Sequence, residues 1–185
     1  MKCKVISISH KPSDWEKQAL HFYSKQLPNH FQVSYVEVRP FSSKSMDRDS
    51  ILEAEGLEIL KCLDQDALVI LWDRQGQKIN SLDFATLLQD QMDQGKNINF
   101  IIGSAHGASD NLLKNSQLIL SASELTFPHR LFKIFLIIAL IFSLFVLYIS
   151  SSSSTLIIGL FVGISTTFKL YISLNSSASV IAVPV

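Results

Sequence analysis

The chain has 185 residues and carries sixteen basic and sixteen acidic side chains, so its formal net charge at pH 7 is zero. This balance excludes the global positive field that draws many proteins to nucleic acids, and any RNA contact must therefore be local. The length suffices for one domain with a substantial core and an appendage. Cys3 and Cys62 form no CxxC pair, which argues against a disulfide framework or a zinc site and favours free thiols in a reducing compartment.

The chain up to about residue 121 alternates between strand and helix patterns. In chain order these predict a strand at 4–9, a helix from 13 to about 26, a strand at 31–38, a helix from 47 to about 62, a strand at 67–72, a helix from 81 to about 92, and strands at 98–102 and 118–121. Ser13 and Glu16 have the spacing of a capping box, and Ser81 is placed to cap the third helix. Strands that alternate with helices predict an α/β fold with a mostly parallel sheet.

The stretch from residue 98 to 133 contains the strongest signals for a ligand site. Its first strand ends in a turn of small residues, 103–107, and a short polar segment that predicts one or two helical turns follows. Its second strand leads into a loop that ends in Pro128 and His129. These features predict two loops at the carboxyl ends of neighbouring strands, where open α/β sheets bind ligands. Glycine suits such a turn because it permits positive φ and close approach of a ligand.

Several motifs, in order and spacing, resemble a known family. They are Lys2, Lys11, Pro12, Asp14 and Trp15 near the start, Glu55-Gly56, Leu71-Trp72-Asp73 with Gly76, the run 100–103, and Leu120-Ser121 followed by 125–129. Together they resemble the small SPOUT-class methyltransferases that methylate N3 of a pseudouridine in bacterial large-subunit ribosomal RNA. The resemblance covers residues 1 to about 133.

The resemblance implies a SPOUT-like α/β fold with a trefoil knot, a cytoplasmic homodimer that acts on ribosomes, and S-adenosylmethionine as methyl donor, without a metal. It implies a catalytic role for His129. The cofactor-binding residues that it implies are Leu71, Trp72, Asp73, Gly103, Ser104, Gly107, Leu120, Ser123, Glu124, Leu125, Thr126, Phe127 and Pro128. Plain structural roles stay open for three of them: Trp72 as a packing residue, Asp73 as a turn cap, and His129 as a hydrogen-bond partner of a loop carbonyl.

The sequence departs from the family in its glycine turn and its ending. The family turn usually reads Gly-Gly-x-x-Gly, often with an acidic residue before the last glycine, whereas this chain has Ser104 and His106 at those two positions. After His129 the family continues as an amphipathic helix with a Gln-x-Tyr-Arg-Ala type segment and ends in Pro-Tyr-His. Neither element occurs here.

The residues after Arg130 differ in character from all that precede them, because their only charged side chains are Lys133 and Lys169. The run 134–149 is charge-free and about long enough to cross a membrane, and 155–174 is a weaker second candidate. We therefore divide the chain into a methyltransferase domain at 1–133 and a hydrophobic tail at 134–185. Two interpretations of the tail stay open: membrane segments, or a reading frame lost near Lys133. Two functions also stay open, an active ribosomal RNA methyltransferase and an inert or membrane-attached relic that keeps the cofactor loops.

Overall fold

The structure is a computed structural model that describes residues 1–41, 47–104, 107–123 and 127–151. Within these ranges the elements follow the predicted alternation, with one short helix between the last two strands. They are β1 (Lys2–Ile8), α1 (Asp14–Ser24), β2 (Gln32–Val38), α2 (Arg48–Lys61), β3 (Leu68–Lys78), α3 (Ser81–Asp93), β4 (Ile98–Ile102), α4 (Asp110–Asn115), β5 (Leu118–Ser121) and α5 (His129–Ser151).

The five strands form one sheet in the order β2-β1-β4-β3-β5, and every neighbouring pair is parallel. The predicted α/β fold with a parallel sheet is therefore confirmed. Because the strands are parallel, their carboxyl ends share one edge, and the segments that leave β3, β4 and β5 are brought together there.

Alternation along the strands sorts side chains onto two buried faces of the sheet. On β3, Ile70 and Trp72 belong to one core cluster, whereas Val69 and Leu71 belong to the other. The first cluster is covered by α1, α3 and α5, and the second by α2 and α4. The first compact unit, residues 1–147, thus has three layers, and the continuous apolar run in β3 reflects burial on both faces.

Helix α5 contributes a stripe of four side chains to the first cluster. Leu136, Ile137, Leu140 and Leu144 are all buried, at the three- and four-residue spacing of one helix face. By length and composition the segment His129–Ile149 is also apolar enough to cross a membrane. The compact first unit runs from Met1 to Leu147, past the predicted domain boundary at 133. A separate tail stays a prediction, since residues 152–185 lie outside the described ranges.

Two predicted helix caps are wrong in detail. Ser13 precedes α1, but its hydroxyl makes no capping hydrogen bond, and Glu16 is buried beside cations of α5. The capping box fails because a carboxylate that is drawn into the core cannot also reach back to the helix start. The cap of α3 is Asn80 in place of Ser81, because the Asn80 side chain accepts hydrogen bonds from the backbone of Leu82 and Asp83.

Strand β3 continues beyond Trp72, where the sequence predicted a turn at 73–76. Its pairing with β5 shifts register between Trp72 and Gln77, so the intervening residues leave the ladder and Gln77 rejoins it. Gly76 makes this return possible, because a Cβ at that position would lie 2.7 Å from the backbone carbon of Leu120. The excursion carries Asp73 and Arg74 out over the carboxyl edge of the sheet.

We predict that Leu140→Ala destabilises the protein by about 2–5 kcal/mol, because it removes a fully buried side chain and leaves a cavity. The matched control is Leu82→Ala, the same substitution at an exposed position of α3, which should cost about 1 kcal/mol or less. Denaturant unfolding of the full chain measures both. Equal effects of the two substitutions would show that α5 is not packed on the sheet.

Candidate functional site

A cleft of about 1200 Å³ opens at the carboxyl edge of the sheet. Its floor is formed by the ends of β3, β4 and β5, represented by Trp72, Ile102 and Leu120. Its walls come from the start of α2, the start of α4, the β3 excursion and the start of α5. A concave site of this size accepts a nucleoside-sized ligand with room for a second reactant.

The glycine turn after β4 closes on itself through backbone hydrogen bonds. The amide of Ser104 donates to the carbonyl of Gly107 over 3.2 Å, and the amide of Gly107 donates back to Ser104 over 3.1 Å. Gly107 has a φ of 105°, which a residue with a side chain rarely adopts. Ser104 does not have positive φ, so serine is accommodated at the position where the family usually has glycine.

The β3 excursion supplies a carboxylate and a guanidinium to the opposite side of the cleft. The Asp73 carboxylate accepts a hydrogen bond from the backbone amide of Gln75 over 2.8 Å, which fixes the local turn. Asp73 therefore has the structural role that the sequence left open and lines the cleft as well. Trp72 likewise does both: its ring packs edge-on against Phe84 and Phe132 at centroid distances of 5.6 Å, and it contributes to the cleft floor.

The start of α5 and the loop before it bring a histidine and two phenylalanines of an aromatic cluster to the cleft. Phe127, Phe132 and Phe135 contact one another, with Phe127 stacked on Phe135 at 5.8 Å. His129 is half-buried and lines the cleft beside Phe132. Burial and, to a smaller extent, the positive charge of Lys133 lower the pKa of His129 below its ordinary value of 6.5. The imidazole is therefore neutral at pH 7 and able to accept a proton.

Among the described residues of the cleft, acidic side chains outnumber basic ones. Four carboxylates line it there, against two guanidiniums: Asp49, Glu53, Asp73 and Asp110, with Arg48 and Arg74. This lining favours a ligand with net positive charge and disfavours a free polyphosphate. The site therefore suits a cationic small molecule that contacts backbone turns and apolar side chains.

Ten of the residues singled out from the sequence line this cleft, namely Trp72, Asp73, Gly103, Ser104, Gly107, Leu120, Ser123, Phe127, Pro128 and His129. Leu71 does not, because strand alternation turns its side chain into the core on the other face of the sheet. Glu124, Leu125 and Thr126, and also His106, lie outside the described residues. Sequence reasoning missed the wall formed by the first turns of α2 and α4, and Phe132. Phe132 lies three residues after His129 on the same helix, a spacing that would have revealed it.

Comparisons with known proteins show which family the chain belongs to. The family described as "Predicted SPOUT methyltransferase" matches residues 1–142. A protein named ribosomal RNA large subunit methyltransferase H from Methylobacillus flagellatus is 34% identical over 137 residues, which cover 74% of this chain and 88% of the relative. Its namesake from Caldicellulosiruptor bescii is 34% identical over 134 residues, covering 72% and 87%. The one from Clostridium kluyveri is 33% identical over 142 residues, covering 74% and 89%. From the parallel sheet, the cleft at its carboxyl edge and these matches, we conclude that the chain belongs to the SPOUT methyltransferase family.

Proposed function

We propose that this protein is an S-adenosylmethionine-dependent methyltransferase that modifies N3 of a pseudouridine in large-subunit ribosomal RNA. The observation that carries the proposal is the cleft, where ten of the residues implied by the family resemblance meet at one edge of the sheet. The names of the relatives support ribosomal RNA as the acceptor. The knotted chain path, the homodimer and a cytoplasmic location belong to the same proposal.

The residues of the cleft fit this cofactor. Its sulfonium and amino groups are cationic, and the carboxylates of Asp49, Glu53, Asp73 and Asp110 provide a complementary lining. Ser104 and Gly107 line the cleft, and Gly107 has no side chain to obstruct an approach. Phe127 offers an apolar face for the adenine ring. When bound, the cofactor supplies an electrophilic methyl group.

The contribution of the chain itself is to position the acceptor and to take a proton. N3 of a pseudouridine bears a proton with a high pKa, so a neutral base near the acceptor favours transfer. The imidazole of His129 is neutral because burial and Lys133 lower its pKa, and it lines the cleft. We assign it the role of proton acceptor. The remaining contribution is orientation, since placing an acceptor nitrogen in line with an electrophile lowers the barrier by itself.

The exposed side of α5 supports the homodimer. Leu131, Phe135, Ile138 and Phe142 are each at least 40% exposed and lie at spacings of four, three and four residues along one helix face. Contiguous exposed apolar residues mark interaction surfaces on proteins in water. A second copy of the chain, seated on this stripe, would cover it.

The alternative function is a catalytically impaired or membrane-attached relic. A specific observation favours it: the residues after Lys133 contain neither the Tyr-Arg segment nor the Pro-Tyr-His ending that the family resemblance implies. In the family those residues approach the cofactor of the partner protomer. Their absence predicts a protein that keeps its cofactor cleft and loses the groups that orient the acceptor.

We predict that the full chain binds S-adenosylmethionine and that Gly107→Ala weakens binding roughly tenfold, because a side chain at positive φ strains the turn that faces the cleft. Gly95→Ala is the matched control. Gly95 also has positive φ and open space around it, but it follows α3, away from the cleft. Both variants should lose about 1–2 kcal/mol of stability, and only Gly107→Ala should lose affinity in calorimetry. Absence of binding by the unsubstituted chain at millimolar cofactor would refute the proposal.

We predict that the imidazole of His129 titrates below 6.5, since burial and the charge of Lys133 both oppose its protonation. Histidine ring resonances followed by NMR against pH measure the midpoint, and the spectrum of His129→Gln assigns it. If the protein is active, the rate should rise with pH through that midpoint, as His129 becomes free to accept a proton. A midpoint at or above 6.5 would remove His129 as a neutral base at the acid end of the physiological range.

We predict that restoring a family ending after Lys133 raises the rate of ribosome methylation at least about a hundredfold, which is about 2.7 kcal/mol of barrier. Grafting after Lys133 keeps the contacts of that residue with α1. Transfer of a tritiated methyl group to ribosomes that lack the modification is the assay. The control graft has leucine in place of the tyrosine and arginine of the ending, and equal rates for the native and grafted chains would contradict the alternative function.

A further inference from the structure

Helix α5 has apolar residues on every side. Its only charged residues up to Ser151 are Arg130 and Lys133, both near its start. Burial of apolar surface is non-directional, and the exposed side of α5 is as apolar as its buried side, so burial alone discriminates weakly between rotations of this helix. Its buried stripe alone therefore does not determine which residues of the first turn face the cleft.

Lys133 lies on the buried stripe, three residues before Leu136 and four before Ile137. Its side chain is only 1% exposed and forms an ion pair with Glu16 of α1, which is fully buried. A second carboxylate, that of Glu37 on β2, lies 3.6 Å from the Lys133 ammonium, and the guanidinium of Arg130 lies 3.8 Å from Glu16. Within the described residues these charges meet as ion pairs and not through well-aligned hydrogen bonds.

A buried ion pair contributes little net stability, because desolvation offsets most of the attraction. It does impose geometry, since each charge is costly to bury in any arrangement that separates the pair. Lys133 is one helical turn from His129 and follows Phe132 directly, and both of those residues line the cleft. Rotating α5 would separate Lys133 from Glu16 and would also carry Phe132 and His129 away.

We propose that Glu16 and Lys133 are positioning residues of the methyltransferase site: their buried ion pair fixes the rotation and register of α5, and thereby places His129 and Phe132 at the cofactor cleft. Neither residue contacts the cleft itself within the described part of the chain. The effect on cofactor binding rests on the proposed function. The effect on the packing of α5 does not depend on it.

The test separates positioning from stability by replacing both charged residues of the ion pair with neutral ones. Lys133→Met alone leaves the buried Glu16 carboxylate without its ammonium partner, and the melting temperature should fall by roughly 6 °C or more. The double variant Glu16→Gln/Lys133→Met removes both charges with little change of volume, so its melting temperature should return to within about 3 °C of the unsubstituted chain. A purely structural role predicts that affinity for S-adenosylmethionine returns as well, whereas positioning predicts affinity that stays at least about tenfold weaker.

Two ring contacts of Trp72 give a readout that needs no cofactor. Its contact with Phe132 depends on α5, and its contact with Phe84 depends on α3, both at centroid distances of 5.6 Å. In the double variant the nuclear Overhauser effect between Trp72 and Phe132 should be lost, and that between Trp72 and Phe84 should persist. If the double variant does not fold, Glu16→Gln alone, which leaves Lys133 beside Glu37, should weaken the Phe132 contact and cofactor affinity roughly threefold.

Persistence of both ring contacts in a folded variant, with unchanged cofactor affinity where the cofactor binds, would overturn the inference. If the unsubstituted chain binds no cofactor, the proposed function fails. Loss of the Trp72–Phe132 contact in the double variant would then still support positioning, and persistence of that contact would overturn the positioning role as well.

Discussion

Glu16 is completely buried on α1, and a carboxylate in that position requires a cation beside it. Lys133 supplies the cation from α5, so the first and last helices of the described fold are tied together across more than a hundred residues of sequence. The tie brings α5 over the same face of the sheet as α1 and α3 and completes the larger core cluster. Because the cleft takes one wall from the first turn of α5, its shape depends on this contact.

The parallel sheet was predictable because its signals are local. Alternating and continuous apolar runs identified all five strands, and the turn signals after residues 102 and 121 identified the edge where the cleft lies. The excursion of β3 was not predictable, since nothing local shows that Gln77 returns to pair with β5. Glu16 was misassigned for the same reason: its spacing from Ser13 suits a cap, and its true partner is distant in sequence.

The walls of the cleft required the tertiary structure. Asp49 and Asp110 lie in the first turns of α2 and α4, where acidic residues are common for reasons of helix stability alone. Only the parallel sheet brings those helix starts over the glycine turn and the β3 excursion. The carboxylates that these helix starts add to the cleft suit a cationic ligand, whereas a dinucleotide site receives a pyrophosphate on a glycine-rich turn.

Hydropathy cannot decide whether α5 belongs in a membrane or in a protein core, because a helix that is apolar all round suits both. The buried Lys133 shows what each of these two locations would mean for the rest of the protein. Moving α5 into lipid would leave Glu16 buried without its ammonium partner and would expose the side of the core that Leu136 and Leu140 cover. It would also remove Phe132 and His129 from the cleft. A molecule attached to a membrane through α5 therefore lacks a cleft wall. For any one molecule, membrane attachment through this helix and an assembled cofactor site exclude each other.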